Sequence, residues 1–206
     1  MKILPHQLGH FKKLAKQLLG QFKNGKDDAR FRVAKFFPES LGLSLELAQH
    51  IIAVEHEFES WETLSSASAM EMRLAIVMKT EPLLNAFGMG VGEIRLRTED
   101  YWTALAKDRV RLRGDLAKVE LTAKWLRLHI KRIKTINTRS SSYGLKHVVE
   151  REIGYITNGV FIAAAMIEGY PYRTRRNFPN VYFGMSQQSW SPIRAAQEAR
   201  LNAGCA

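Results

Sequence analysis

"SYGLKHVVEREIGYITNGVFIAAAMIEGY", residues 142–170, is the stretch on which the fold turns. Residues 142–154 have helical spacing, "YIT" makes a tight turn, and a second run starts at Asn158. That layout has the helix lengths and turn of a helix-turn-helix. The second helix, however, reads Val160, Phe161, Ile162, Ala163, Ala164, Ala165, Met166, Ile167. A recognition helix presents polar side chains to base edges, and this one has almost none. A helix that is apolar all round is a core helix. The pair therefore reads as a buried hairpin, with Asn158 and Gly159 opening its second helix.

Upstream, residues 98–136 supply a partner for that core. Trp102, Leu105, Leu112, Leu116, Val119, Ala123, Leu126, Ile130 and Ile133 recur in alternating steps of three and four, the signature of a heptad seam. Read as one helix, the segment would be about 55–60 Å long, with Gly114 able to split or bend it. Nine Lys and Arg side chains lie off the seam, and Val110, Leu121, Trp125 and Leu128 form a second apolar patch. Two apolar sides favour an intramolecular bundle over a two-stranded coil. Downstream, "PYRTRRNFPNVYFGMSQQSW" is loop-like, with one short strand expected at 181–185. "SPIRAAQEARLNAG" reads as a last helix, with Ser191 as N-cap, Pro192 at its first position and Gly204 closing it.

The N-terminal part is helical in shorter pieces. Leu8, Phe11, Ala15, Leu18 and Phe22 mark an amphipathic helix over 6–23, which "NGK" ends. A short helix follows from "DD" to the residues before Pro38. Ser44 and Ser60 are N-caps for helices carrying Leu47, Ala48, Ile51, Ile52, Val54, Trp61 and Leu64. A helix is expected over 69–79 and another at 82–87, with "GMGVG" as a flexible break. That glycine cluster lacks the ending of a phosphate loop. The expected architecture is all-α: an N-terminal helical module at 1–66, a connector at 67–97, and a C-terminal bundle at 98–206 built around the long basic helix.

Two resemblances attach to these segments. Ala48, Gln49, Ile52, Ala53, Glu55, Phe58, Ser60, Trp61 and Leu64 follow a long basic helix and a short helix ending in Pro. Residues 8–64 thereby resemble a small bacterial helical module found before ankyrin repeats or with glyoxalase-like domains. Glu57 stands where that pattern favours Gly. The resemblance implies a compact module of three or four helices and no enzyme activity; no ankyrin period follows. "SYGLKH" and "NGVFIAAA" resemble segments of uncharacterised proteins of plasmids and other mobile elements, which implies an accessory role.

Composition bounds the partners. The chain has 206 residues, a formal net charge of +11 and one cysteine, Cys205. No internal disulfide is possible, and no apolar run approaches a membrane span. "MKILPHQLGHFKK" lacks the apolar core of a signal peptide, so a cytoplasmic protein with no membrane partner is expected. Charge comes in blocks. Residues 41–100 carry ten Asp/Glu against four Lys/Arg; residues 101–151 carry thirteen Lys/Arg against four. Such an excess of positive charge points to a polyanion such as DNA or RNA. The acidic block either neutralises it within the molecule or serves another partner.

Three kinds of chemistry have candidate residues. His6 and His10 lie four apart with no third ligand nearby, and no cofactor motif is present. Tyr143, Lys146, His147 and Glu150 share a helical face behind Ser140, Ser141 and Ser142, the residue types of a nucleophile, base and orienting acid. An ordinary Lys146–Glu150 ion pair accounts for the same spacing. The strongest signal is cationic. Lys131, Arg132, Lys134, Arg139, Tyr143 and Lys146 run among hydroxyls, and Arg173, Arg175 and Arg176 sit among Tyr170, Tyr172 and Phe178. Lys and Arg serve phosphates, and aromatic neighbours suit single strands or phosphate clamping. The favoured reading is a non-enzymatic nucleic-acid-binding accessory protein of a mobile element, with two basic sites. The alternative is a protein-interaction module, an inhibitor or adaptor using the acidic 41–100 block. A weaker one is an enzyme centred on His147.

Overall fold

The computed structural model describes residues 7–38, 42–91 and 99–203. His6, Gly204 and Cys205, which figure in the sequence reading, lie outside the described residues. The chain divides at Lys79/Thr80 into two compact units. The fold is mostly α-helical, with ten helices and two small sheets among the described residues.

The first unit comprises α1 (Gln7–Lys23), α2 (Asp27–Ala34), α3 (Leu45–Glu55), α4 (Trp61–Ser66) and α5 (Ala69–Thr80). Its core joins Phe11, Ala15 and Leu18 of α1 to Ala48, Ile51 and Ile52 of α3, with Ala29, Val33 and Leu64 alongside. Ser44 and Ser60 cap α3 and α4 through hydroxyls that accept from the Leu47 and Thr63 amides. The end of α3 is a Schellman turn, with Phe58 N–H donating to Ala53 O and Glu57 N–H to Val54 O. Glu57 therefore has φ +63°, the left-handed conformation that favours glycine. Beside it, Arg32 reaches Glu55 with two hydrogen bonds of 3.0 and 2.8 Å, and Lys79 approaches at 3.7 Å.

The second unit comprises β1 (Leu84–Asn85), β2 (Gly88–Met89), α6 (Tyr101–Gly114), α7 (Leu116–His129), β3 (Arg132–Asn137), α8 (Ser142–Ile153), α9 (Asn158–Ile167), β4 (Tyr172–Arg173), β5 (Tyr182–Met185) and α10 (Gln187–Ala203). Every residue of α9 is buried, as its all-round apolar sequence requires. α7 packs along it through Val119, Ala123 and Leu126, and Phe161 meets Phe183 edge to face at 6.0 Å. Gly159 is needed where α9 meets the β1–β2 hairpin, because a Cβ there would overlap the Asn85 carbonyl. Asn85 stabilises that hairpin, donating to Leu83 O and Gly90 O and accepting from Phe87 N–H.

The structure departs from several of these expectations. The single helix over 98–136 is two 14-residue helices that break at Asp115, followed by a strand. The β-branched residues Ile133, Thr135 and Ile136 suit a strand, and β3 pairs with β5 rather than continuing the seam. Trp102 is 71% exposed and so lies off the seam. Of the second patch only Trp125 is buried; Val110, Leu121 and Leu128 are exposed. The helix expected at 82–87 is instead part of the β1–β2 hairpin, whose second strand takes the first two residues of "GMGVG"; Gly92 lies outside the described residues. The last helix starts at Gln187, so Ser191 is not its cap and Pro192 lies inside it. Its start is anchored earlier: Lys131 N–H donates to the Ser189 hydroxyl, and Ser186 N–H donates to Lys131 O.

Candidate nucleic-acid interface

The three-stranded antiparallel sheet, in the order β3–β5–β4, positions the cationic residues. β4 and β5 form a hairpin in which Arg173 faces Tyr182 and Tyr172 faces Phe183. Side chains alternate along a strand, and directly paired residues share a face. Phe183 and Met185 are buried in the core, so Tyr182, Gly184 and Arg173 lie on the opposite face. On the other side of β5, Arg132 pairs with Met185 and Asn137 with Phe183. Five steps on β3 match two on β5, so Ile133 to Ile136 bulge over the sheet. Gly184 makes room for this bulge, since a Cβ there would overlap Ile133 O. Lys134 and Thr135 are exposed in the bulge. The chain after β3 stays beside the start of β5, where Ser142 N–H donates to Val181 O at 2.7 Å. Val181 N–H donates back to the Ser142 hydroxyl at 3.1 Å.

This topology regroups the sequence-predicted residues. Arg139, in the turn after β3, and Arg173, on β4, flank the beginning of β5 from opposite sides. Arg175 and Arg176 stand in the β4–β5 loop at the same end of the sheet. Arg139 of the first predicted site thus joins the three arginines of the second at one end of the sheet, and the other cations of the first site do not. All four arginines are exposed, and none makes an ion pair among the described residues. Tyr143, half exposed, opens α8 next to the Arg139 turn. Lys131 and Arg132 lie at the other end of β5, about 10 Å away at the rise of a β-strand. Arg132 is turned over the Tyr170 ring, 5.6 Å from its centre. The Tyr170 hydroxyl shares its hydrogen between Ile130 O at 2.6 Å, just after α7, and Leu126 O at 2.9 Å, in its last turn, and burial pushes its pKa up to about 12.

Lys146 does not belong to the surface. It is 4% exposed, and its ammonium group donates to Glu150 at 2.5 Å and to Ile156 O at 3.4 Å, between the rings of Tyr143 and Tyr155. It lies one helical turn from Ser142 and from Val149, both buried, which puts it on the covered side of α8. The candidate catalytic group is an ion network. Glu150 accepts from both Lys146 and His147, and Tyr143 packs edge-on to His147 at 4.6 Å. Burial raises the Glu150 pKa, but the two hydrogen bonds outweigh it and hold the carboxyl below its usual range. A carboxylate so engaged is a poor general base at neutral pH. Ser142, a candidate nucleophile by sequence, is buried and accepts from the Val181 amide. Among the described residues no group of three His, Cys, Asp or Glu is placed to hold a metal ion.

One residue of this region gave no sequence signal. Arg194, on α10, donates to Gly144 O at 2.9 Å and lies over the Trp190 ring at 4.8 Å. It braces the 140–144 turn that presents Arg139. Phe178 and Tyr182 also gain meaning, because their rings lie nearly parallel, 14° apart with centres at 6.4 Å.

Comparisons of the chain with protein-family models, with curated protein sequences and with solved structures find no match. Among the described residues no helix is long and apolar enough to cross a membrane.

Proposed function

We propose that the chain is a non-enzymatic nucleic-acid-binding protein, an accessory factor of a plasmid, phage or other mobile element. The observation that carries this reading is the gathering of Arg139, Arg173, Arg175 and Arg176 at one end of a small sheet. Guanidinium groups left without carboxylates on a protein surface form a ready site for phosphate oxygens. Lys134 in the bulge and Lys131 at the far end add positive charge along β3, while Arg132, paired with core-facing Met185, is held over the Tyr170 ring. Tyr143 borders the arginines. Lys146 holds α8 together from within. The mobile-element setting rests on the resemblance carried by "SYGLKH" and "NGVFIAAA".

The test is fluorescence anisotropy with labelled DNA and RNA across a salt series. Binding to phosphates makes log K fall with log salt at about 0.7–0.9 per phosphate neutralised, so roughly three or four neutralised phosphates give a slope between about −2 and −4. Absence of binding at low salt would overturn the reading. It would promote the alternative, a protein-interaction module, which the exposed apolar side chains Trp102, Val110, Leu121 and Leu128 favour.

A further inference from the structure

We infer that the arginine-rich end of the sheet takes single-stranded nucleic acid, one base stacking on the Phe178–Tyr182 pair while the arginines hold the flanking phosphates. The inference rests on the nucleic-acid reading above and specifies its ligand. Tyr182 stands on the face of β5 away from the core, directly opposite Arg173. Phe178 comes from the same loop as Arg175 and Arg176, and its ring lies nearly parallel to that of Tyr182. Both rings are half-buried, so they are held in place yet reachable. A pure phosphate clamp has no use for aromatic faces, whereas a base has a π-face that stacks on them whatever its identity. In a duplex those faces are already stacked on their neighbours; in a single strand they are open. The other duplex route, through the major groove, uses a helix or ribbon with polar side chains aimed at base edges. The second helix of the helix-turn-helix-like pair, α9, is buried and has no such side chains to offer, and β4 is only two residues long.

The experiment compares three labelled probes with the full chain at one low salt concentration: a 20-nucleotide dT strand, an abasic strand of the same length and charge, and a 20-base-pair duplex. An rU strand repeats the first arm for RNA. Stacking of one base is worth about 5- to 150-fold in affinity, so the dT or rU strand should bind at least about fivefold tighter than the abasic strand. It should also outcompete the duplex. Phe178→Leu and Tyr182→Leu keep apolar bulk and remove the ring; either should shrink the ratio toward one without changing the salt slope. Circular dichroism checks their folding, and if both fail to fold, the probe comparison on the unaltered protein decides alone. Equal binding of the abasic and dT strands, or tighter binding of the duplex, would overturn the stacking inference while leaving phosphate binding intact. Failure of all the probes to bind would overturn both.

Discussion

Glu57 shows what a single residue can store. It occupies the left-handed position of the Schellman turn after α3, where Gly is the usual occupant, as Gly169 is after α9. Left-handed backbone costs a non-glycine residue about 1–2 kcal/mol, part of which glycine returns through its freedom in the unfolded chain. Glu57→Gly should therefore stabilise the protein by up to about 1 kcal/mol, read as a rise in the urea midpoint at unchanged m-value. Lys146 makes the complementary point. Its cation is buried and paired, so Lys146→Met removes one partner and leaves the Glu150 carboxylate short of a donor. A loss of about 1–3 kcal/mol of stability is expected, with the salt dependence of nucleic-acid binding unchanged. A reduced salt slope in Lys146→Met would place that ammonium at the phosphates after all. The two residues also differ in legibility. Glu57 stands out in the sequence as anomalous because a glycine is expected there. Lys146 looks like its exposed neighbours, since a lysine's spacing does not say which face of a helix is covered.

Among the elements, α9 was legible because ten residues with no polar face admit only burial. The caps at Ser44 and Ser60 were legible because capping is local chemistry. Of the β3–β5–β4 sheet only β5 was, as the short strand expected at 181–185. β4 has two residues, too few to display a strand period, and β3 pairs with a segment about 50 positions away. Ile133 of β3 also happens to continue the heptad seam of α7. Without the sheet, Arg139 and Arg173 could be named but not brought together. The β3 bulge depends on Gly184, whose hydrogens face the Ile133 carbonyl. Gly184→Ala forces that backbone away and should cost about 1–3 kcal/mol, measured by urea denaturation. It should also weaken nucleic-acid binding, because β3 and the Arg139 turn are registered through this close approach. Wild-type stability and affinity in Gly184→Ala would mean that the bulge does not shape the surface.

For the whole molecule, acid is the relevant stress. Burial holds His56 below the ordinary histidine range, and burial together with Lys13 does the same for His10. Such groups contribute stability that is complete above the unfolded histidine pKa of about 6.5 and is lost as pH falls through their folded values. For Glu55, burial raises the pKa, but the Arg32 hydrogen bonds outweigh it and the net shift is downward. Its contribution is complete above about 4.3 and goes as pH falls through its lower folded value. Melting temperature should therefore decline in two stages, below pH 6.5 and again below about 4. His56→Asn should flatten the first stage only. A melting temperature constant from pH 7 to 5 would contradict this assignment.

Net charge poses the larger question, because a chain at +11 can bind polyanions without any built site. The most direct test compares two double substitutions that remove the same charge, Arg175→Gln with Arg176→Gln and Lys12→Gln with Lys13→Gln. Anisotropy with a labelled single strand is measured over a salt series. The arginine pair should lower the magnitude of the log–log slope by about 1.4, at roughly 0.7 for each phosphate no longer neutralised, and weaken binding throughout. The lysine pair should leave the slope within error of the parent. Equal losses of affinity in the two variants would contradict the account, because binding would then follow overall charge and not the end of the sheet where the arginines meet.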